Sequence, residues 1–422
     1  MAEASGATAG SATATAAVPG HATAAAAPWS STPITLIVAP HPSPGGSVSG
    51  DVTVSNSGII QGGNGGNGYG SGQGGDGGDG VGNGGGVTGG SMYYPGGNGG
   101  TIMGSITLYN TGTVQGGNGG AGGSTGSSGA GGVGVRGANV TIVNTGTIRG
   151  GLSGDGVTQA APIVFTGGIN SLELWAGSNI VGNVSAFSSA DSFALGGSDS
   201  SEFDVSTIGT QYVGFGQFAK NGASTWVLTG TTSVATAWSI NQGILSISPD
   251  GNLGAAGTGL TLNGGTLQAS ATFSDSSRPI TITSNNGSID VTGTSTLTWH
   301  GLISGVGALT KEGTGTLTLS AMDTYTGATT INGGTLAITA TGGITSDVTN
   351  NATLVNAGTV NGSVTNNTGA TFTQDASSSV SGGMVNSGTV NANGGALNGT
   401  IVNNAGGSFN IGGAVTSNNT FA

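Results

Sequence analysis

Short runs in which apolar and polar residues alternate recur along most of this chain. The clearest is the stretch 309–338, LTKEGTGTLTLSAMDTYTGATTINGGTLAI, where Leu317 and Leu319 alternate with threonines. Alternation with a period of two predicts strands that bury one face. Glycine pairs such as Gly333-Gly334 interrupt the runs and predict tight turns. Short strands separated by closely spaced turns predict an all-β sandwich or solenoid, and the stacking of near-identical units favours a solenoid.

The same stretch resembles the passenger-associated transport repeat of bacterial autotransporters, whose pattern is LTKxGxGTLTLSGxNTYTGxTTINxGTL. It departs from that pattern at Ala321-Met322-Asp323, where the family usually has Gly-Ala-Asn. A second, degenerate repeat is expected at Lys220–Ile247, where KNGASTWVLTG parallels KEGTGTLTLS. The resemblance implies a β-helix that a Gram-negative bacterium displays on its outer membrane or secretes, and the stacking of near-identical units favours the right-handed parallel form. It also implies adhesion as the usual role, in which the passenger binds host or bacterial surface molecules.

By the same resemblance, one set of repeat residues carries the fold and helps the passenger to fold during secretion. These residues are Gly313, Gly315, Leu317, Leu319, Tyr325, Gly327, Ile331, Gly334 and Leu336.

A different repeat occupies the first half of the chain, as VSNSGIIQGGNGG (54–66), LYNTGTVQGGNGG (108–120) and IVNTGTIRGG (142–151). We expect its asparagines to occupy turns, where Asn tolerates a left-handed backbone. The glycine-rich segments Gly62–Gly90 and Gly116–Gly134 are expected to be flexible loops that bury nothing. In the tail, asparagines recur at equivalent positions of successive repeats and predict stacked Asn ladders.

These patterns divide the chain into four expected regions. Residues 1–32 are a low-complexity Ala/Thr segment that we expect to be disordered. Residues 33–162 are glycine-rich β-helix repeats with long loops, and residues 163–346 are a passenger β-helix with transport repeats. Residues 347–422 are Asn/Gly-rich β-helix repeats. We find no translocator strands, so the resemblance implies a passenger whose C-terminal outer-membrane barrel is missing.

The amino-acid composition excludes some classes of binding partner and favours others. The chain has 422 residues with 91 Gly, only 5% charged residues, a net charge of −12 and no cysteine. Five scattered Lys and Arg residues cannot neutralise a nucleic-acid backbone, so nucleic-acid binding is not expected. A disulfide scaffold and a thiol nucleophile are excluded by the lack of cysteine. No cofactor is indicated, and polar faces of low charge suit glycans or self-association.

Candidate catalytic groups are few, and we expect no enzyme. The best candidates for the paired carboxylates of a glycosidase are Asp199, Glu202 and Asp204. Their spacing is equally typical of acidic side chains on a solvent-exposed strand face. The bases Arg136, Arg149 and Arg278 have no acids beside them in the sequence. His300 is expected to be a strand-end residue, and His21 and His41 lie in the low-complexity start of the chain.

One possible metal motif is the segment 74–82, GGDGGDGVG, which fits a calcium-binding nonapeptide. Such sites are shared between successive repeats, and the preceding nine residues put Gly70 where an Asp is required. Asp76 and Asp79 therefore remain an open question at the sequence level, and no metal site is assigned.

The leading interpretation is a surface-displayed or secreted passenger fragment that forms a β-helical stalk with an adhesin role. Two alternatives stay open on the sequence alone. One is a β-helical polysaccharide lyase or hydrolase, and the other is a passive repetitive surface or matrix protein without a specific ligand.

Overall fold

The computed structural model describes residues 51–83, 101–275 and 277–419, together with three short strands before residue 51. His21 and His41 lie outside the described residues, as do residues 84–90 of the first glycine-rich segment. Within the described ranges every regular element is a β-strand except two 3-10 turns, Val205–Thr207 and Asp250–Leu253. In this part of the chain no helix is long and apolar enough to span a membrane.

The chain folds as two compact units, Met1–Ala194 with Gly209–Gly216, and Leu195–Ile208 with Gln217–Ala422. Strands up to the start of the second unit are β1 (Thr13–Ala14), β2 (Ile34–Ile37), β3 (Ser47–Ser49), β4 (Val52–Asn56), β5 (Ile59–Gln61), β6 (Val81–Asn83), β7 (Thr101–Met103), β8 (Ile106–Asn110), β9 (Thr113–Gln115), β10 (Val135–Ala138), β11 (Val140–Asn144), β12 (Thr147–Arg149), β13 (Ile163–Gly167), β14 (Ser171–Leu174), β15 (Asn179–Val181), β16 (Val184–Ser185) and β17 (Ser192–Leu195).

The remaining strands belong to the second unit except β19. They are β18 (Ser201–Asp204), β19 (Tyr212–Val213), β20 (Gln217–Lys220), β21 (Thr225–Thr229), β22 (Trp238–Ile240), β23 (Ile244–Ile247), β24 (Leu260–Leu262), β25 (Thr266–Ala269), β26 (Phe273–Ser274), β27 (Ile280–Ile282), β28 (Gly287–Val291), β29 (Thr296–Trp299), β30 (Ile303–Gly305), β31 (Leu309–Glu312), β32 (Thr316–Leu319), β33 (Met322–Asp323), β34 (Thr329–Ile331), β35 (Thr335–Ile338), β36 (Gly343–Ile344), β37 (Val348–Asn350), β38 (Thr353–Asn356), β39 (Thr359–Val360), β40 (Val364–Asn366), β41 (Thr371–Gln374), β42 (Ser379–Val380), β43 (Met384–Asn386), β44 (Thr389–Ala392), β45 (Gly395–Leu397), β46 (Ile401–Asn403), β47 (Ser408–Ile411) and β48 (Val415–Thr416).

Each unit is a β-solenoid, because every strand pairs in parallel with the equivalent strand of the neighbouring coil. In the first unit the sheets run β1-β2-β4-β8-β11-β14-β17, β19-β16-β13-β10-β6-β7-β3 and β15-β12-β9-β5. In the second they run β20-β22-β24-β27-β30, β18-β21-β23-β25-β28-β31-β34-β37-β40-β43-β46, β26-β29-β32-β35-β38-β41-β44-β47 and β33-β36-β39-β42-β45-β48. The expected parallel, all-β solenoid is confirmed.

The core is a set of apolar columns that run from coil to coil. One column in the second unit consists of Leu297, Leu317, Leu336, Leu354, Phe372 and Val390, which are paired in register and fully buried. Because apolar side chains are needed only at such column positions of each coil, a chain with 35% apolar residues can form this core. Each coil presents a thin row of side chains to the next coil rather than to a thick central core.

Asparagine ladders continue some of these columns inside the solenoid. In the tail, the Nδ2 of Asn350 donates to Asn366 Oδ1 at 2.8 Å, that of Asn366 to Asn386 Oδ1 at 2.8 Å, and that of Asn386 to Asn403 Oδ1 at 2.6 Å. The predicted ladder is therefore present. A side-chain amide can both donate and accept, so each rung satisfies its buried neighbours.

The asparagines of the first-half repeat do not occupy turns, so our expectation for them was wrong. Asn56, Asn110 and Asn144 are not turn residues with a left-handed backbone, since they end strands β4, β8 and β11 with their side chains buried. Nδ2 of Asn56 donates to Asn110 Oδ1 at 2.7 Å, and that of Asn110 donates to Asn144 Oδ1 at 2.7 Å. Burial requires this pairing, because a buried amide without partners would be costly.

Candidate functional site: three glycine-rich layers

Three glycine-rich excursions leave the first unit after strands β5, β9 and β12. We call them layer 1 (62–80), layer 2 (116–134) and layer 3 (150–160). Layers 1 and 2 match residue for residue, because the strand register is offset by 54 residues both before them, at Val52↔Ile106, and after them, at Val81↔Val135. The equal lengths show that the coil and its excursion repeat together.

The layers are joined by hydrogen bonds that recur at every third residue. The N–H groups of Gly62, Gly65 and Gly68 donate to the carbonyls of residues 115, 118 and 121 at 3.0, 2.7 and 2.8 Å. A three-residue repeat is one turn of the polyproline II helix, which has no internal hydrogen bonds. The spacing of the bonds in layers 1 and 2 matches that period, and their arms bond to neighbouring arms instead of forming strands.

Each layer is also a hairpin whose outgoing and returning arms are bonded to each other. In layer 1, Gly75 N–H donates to Gly66 O and Gly78 N–H donates to Gly63 O, both at 2.7 Å. Layer 2 repeats these bonds 54 residues later, from Gly129 to Gly120 and from Gly132 to Gly117. The expected flexible loops are thus wrong for 62–83 and 116–134, which are hydrogen-bonded, and several of their glycines are buried.

Glycine is required because the arms lie in backbone contact. A Cβ on Gly65 would lie 1.8 Å from Gly75 O, and one on Gly117 would lie 2.1 Å from Gly63 O. Real carbon–oxygen contacts do not approach this closely, so two positions of each triplet must lack a side chain. The sequence pattern G-G-x follows directly, with side chains only at the third position.

The third-position side chains complete the bonding between layers. Oδ1 of Asn64 accepts the N–H of Asn118 at 2.8 Å, and Oδ1 of Asp76 accepts the N–H of Ala130 at 2.8 Å. Asn67 and Asp79 do the same for residues 121 and 133. Asn and Asp therefore act as caps for backbone donors, which would otherwise be left unpaired in a packed layer.

This arrangement gives Asp76 and Asp79 a role other than calcium binding. Besides its cap, Asp79 forms an ion pair through Oδ2 with Arg136 Nε at 2.7 Å. Among the described residues no three His, Asp or Glu side chains lie close enough together to hold a metal ion. The bond from Arg136 to Asp79 links successive coils, and the sequence alone had left Arg136 without an acidic neighbour.

The other candidate residues take structural positions in the second unit. Glu202 and Asp204 are exposed on β18, and Asp204 Oδ1 caps a 3-10 turn through Ser206 N–H at 2.9 Å. His300 follows strand β29 directly, as expected, and its Nδ1 lies 3.0 Å from Asp275 Oδ1. Arg278 is fully buried and pairs with Asp250, while its guanidinium also donates to the carbonyls of residues 250, 253, 254, 255 and 258.

Two buried lysines link successive coils, a role that the sequence analysis did not predict. Lys220 Nζ donates to the carbonyls of Asn221, Gly222 and Gln242, at 2.6, 2.7 and 3.1 Å. Lys311 Nζ donates in the same way to residues 312, 313 and 333. Each ammonium joins the turn of its own coil to the turn of the next coil. The signal was the shared Lys-x-Gly, KNG and KEG, in the two repeats.

The two lysines occupy the same position of two matching segments. A family model described as the passenger-associated transport repeat matches residues 218–247 and 309–338. This chain carries two transport repeats. The degenerate repeat expected at Lys220–Ile247 is confirmed together with the clear one, and in the latter strands β31, β32, β34 and β35 correspond to the predicted alternating runs.

A curated relative supports the same assignment. Over 171 residues the chain is 33% identical to the adhesin BmaC autotransporter of Brucella suis biovar 1 (strain 1330). The match covers 40% of this chain and 5% of that protein, so the chain spans a small part of the relative's length. No solved structure matches the chain. The transport repeats and this similarity confirm the resemblance to an autotransporter passenger.

Proposed function

We propose that this chain is part of an autotransporter passenger that is displayed on a Gram-negative cell surface and acts in adhesion. The transport repeats on a regular solenoid are the observation that carries the proposal. The relative's description as an adhesin supports a structural rather than an enzymatic role. The ligands would be molecules of host or bacterial surfaces, with glycans as the class that an uncharged polar face suits best.

The outer face of the second unit offers a repeated surface for such a ligand. Thr296, Thr316, Thr335, Thr353, Thr371 and Thr389, which we call the threonine row, are paired in register on strands β29, β32, β35, β38, β41 and β44. All six are partly exposed. Hydroxyls that repeat about every 4.8 Å can each make one weak contact, and many weak contacts to a repetitive ligand add up by multivalency.

The test is saturable binding of the purified full chain to epithelial cells, bacterial cells and a glycan array. A Thr335→Glu/Thr371→Glu variant places charges in the threonine row. A matched Thr330→Glu/Thr365→Glu variant places them on the neighbouring sheet, where the outward positions are also threonines. Binding that is lost only in the first variant would assign the ligand to the row.

If both variants bind as the wild type does, the threonine row is not the binding site. No saturable binding by the wild-type chain would contradict the adhesin role and favour a passive stalk. Circular dichroism of each variant establishes that a loss of binding is not a loss of fold.

Secretion supplies a second test, which concerns the transport repeat. Leu317 and Leu319 are fully buried in the second unit, so Asp at both positions would leave charges unpaired in an apolar column. If the ordered repeat helps the passenger to fold as it emerges, this double variant lowers the amount of passenger on the cell surface. Surface display equal to that of the wild type would refute the role in folding.

A further inference from the structure

A second polar column runs beside the threonine row. Nδ2 of Asn351 donates to Asn332 Oδ1 at 3.2 Å, and Nδ2 of Asn367 donates to Asn351 Oδ1 at 2.6 Å. Each of these asparagines lies in the turn that leads into a strand of the threonine row, β35, β38 or β41. Asn332 and Asn351 are exposed and Asn367 is partly exposed, so this ladder faces solvent. The amide–hydroxyl strip is the set of these asparagines and the threonines that follow them, Thr335, Thr353 and Thr371.

The ladder fixes the orientation of each amide and leaves part of its bonding capacity unused. A side-chain amide has two N–H donors and an oxygen with two lone pairs. Asn351 uses one donor and one lone pair within the ladder, and the remainder has no partner within residues 51–83, 101–275 and 277–419. The hydroxyl of Thr353, in the same coil, has no hydrogen-bond partner in these ranges either. The strip therefore offers oriented donors and acceptors, which lowers the entropy cost of binding a ligand.

The strip itself is uncharged. No Lys, Arg or His follows Lys311 in the sequence, and the Lys311 ammonium is fully buried against carbonyl groups. Glu312 lies at one end of the ladder, where its Oε1 accepts a hydrogen bond from Asn332 Nδ2 at 2.8 Å. The coils that carry the strip thus bring no positive charge to an anionic ligand. A ligand of uncharged hydroxyl groups matches the strip, because hydroxyls and amides can each donate and accept.

The period of the strip distinguishes between kinds of polymer. Successive coils of a parallel solenoid lie about 4.8 Å apart, and the strip repeats its donors and acceptors at that distance. An extended peptide repeats its like-facing side chains about every 6.8 Å, so it does not keep this register. A β-1,4-linked polysaccharide is also extended, and one sugar ring advances its chain by nearly the height of one coil. Each coil of the strip can therefore engage one sugar ring.

We propose that the amide–hydroxyl strip binds a linear, uncharged, β-1,4-linked polysaccharide whose chain runs along the solenoid, with one sugar ring per coil. The inference rests on the proposed adhesin function, and it names the class of glycan and its direction on the threonine row. Each contact is weak, but the contacts add along the row, because each further ring binds within a complex that is already formed. Affinity then depends on the length of the polymer and not on a terminal sugar.

The length dependence can be measured by isothermal titration calorimetry of the purified full chain. The probes are β-1,4-linked oligomers of glucose and of N-acetylglucosamine, from the dimer to the hexamer. The threonine row spans six coils, so the dissociation constant should fall with each added sugar up to the hexamer. The expected factor is about threefold per sugar, the lower range for one net hydrogen bond. Hyaluronan oligomers, which carry a carboxylate on alternate sugars, are the charged control and should bind more weakly.

Alanine variants test where the polymer lies. Asn351→Ala/Thr353→Ala removes both polar groups from a middle coil of the row, so the hexamer should bind about tenfold more weakly, the effect of about two net hydrogen bonds. The dimer fits on either side of the altered coil and should keep its affinity. Thr349→Ala, on the neighbouring sheet of the same coil, is the matched control and should change neither affinity. Circular dichroism establishes that each variant is folded.

Equal dissociation constants from the dimer to the hexamer would overturn the proposal. Tighter binding of hyaluronan, or no binding of any uncharged oligomer, would overturn it as well. Weakening by Thr349→Ala but not by the strip variant would assign the ligand to the neighbouring sheet and refute the strip. If the oligomers do not bind while the chain still binds cells saturably, this inference fails and the adhesin function stands. If neither cells nor oligomers are bound, the adhesin function fails too.

Discussion

Asp323 gives the sharpest prediction, because a carboxyl group stands where the transport-repeat pattern has an asparagine. It is 1% exposed on β33, and Ile303 N–H donates to its Oδ1 at 2.7 Å. Its Oδ2 has no hydrogen-bond partner within residues 51–83, 101–275 and 277–419. Burial raises the pKa of this carboxyl from 3.8 to about 7, against the smaller opposing effect of the Ile303 hydrogen bond. At neutral pH and above, the fold therefore has to hold a poorly solvated negative charge.

The sign and size of the effect follow from linkage. Because the pKa is higher in the folded state, the folded chain binds more protons between pH 4 and 7, and stability falls as pH rises through that range. A difference of about three pKa units at 1.36 kcal/mol each gives about 4 kcal/mol lost by pH 8. Asp323→Asn removes the titration, so we expect the variant to be more stable by up to about 4 kcal/mol at pH 8 and near wild type at pH 4.

Urea unfolding of both proteins, followed by circular dichroism from pH 4 to pH 8.5, measures this difference. Repeat proteins can unfold in parts, so the transition of the second unit must be fitted separately. Asp199→Asn, at an exposed position of the same unit, serves as the control and should show no pH-dependent gain. A difference between wild type and Asp323→Asn that does not grow from pH 4 to pH 8 would refute the reasoning.

Two further changes test interior contacts by the same unfolding measurement, and a third is followed by amide hydrogen exchange. Lys311→Met leaves three carbonyl acceptors without their ammonium and should cost about 2–4 kcal/mol, whereas an unchanged midpoint would show that the lysine is not a coil-to-coil link. Asn366→Leu breaks a buried ladder and should cost about 2–4 kcal/mol, while Asn351→Leu in an exposed ladder should cost under about 0.5 kcal/mol. Gly65→Ala forces a methyl group against Gly75 O, so the amides of layer 1 should exchange their hydrogens faster than in the wild type. If these amides stay protected from exchange, the close packing does not require glycine at this position.

How far the sequence predicts the site is clear from the glycine-rich layers. The G-G-x spacing was visible, but glycine abundance alone is equally typical of flexible loops. The decisive facts are the equal lengths of layers 1 and 2 and the third-position oxygens of Asn64 and Asp76, which meet amides 54 residues away. Such long-range register cannot be read from local composition. The ion pair of Arg136 with Asp79 was hidden for the same reason.

The sequence by itself determined the strand pattern, the solenoid class and the two transport repeats, because each depends on local periodicity or on a matched motif. Only the tertiary structure decided where the asparagines point, what the two repeat lysines bond to and whether the glycine-rich excursions pack. Those outcomes depend on which residue of one coil lies above which residue of the next coil. Parallel stacking sets that register, and the register then turns Asn110 into a ladder rung and Lys311 into a link between coils.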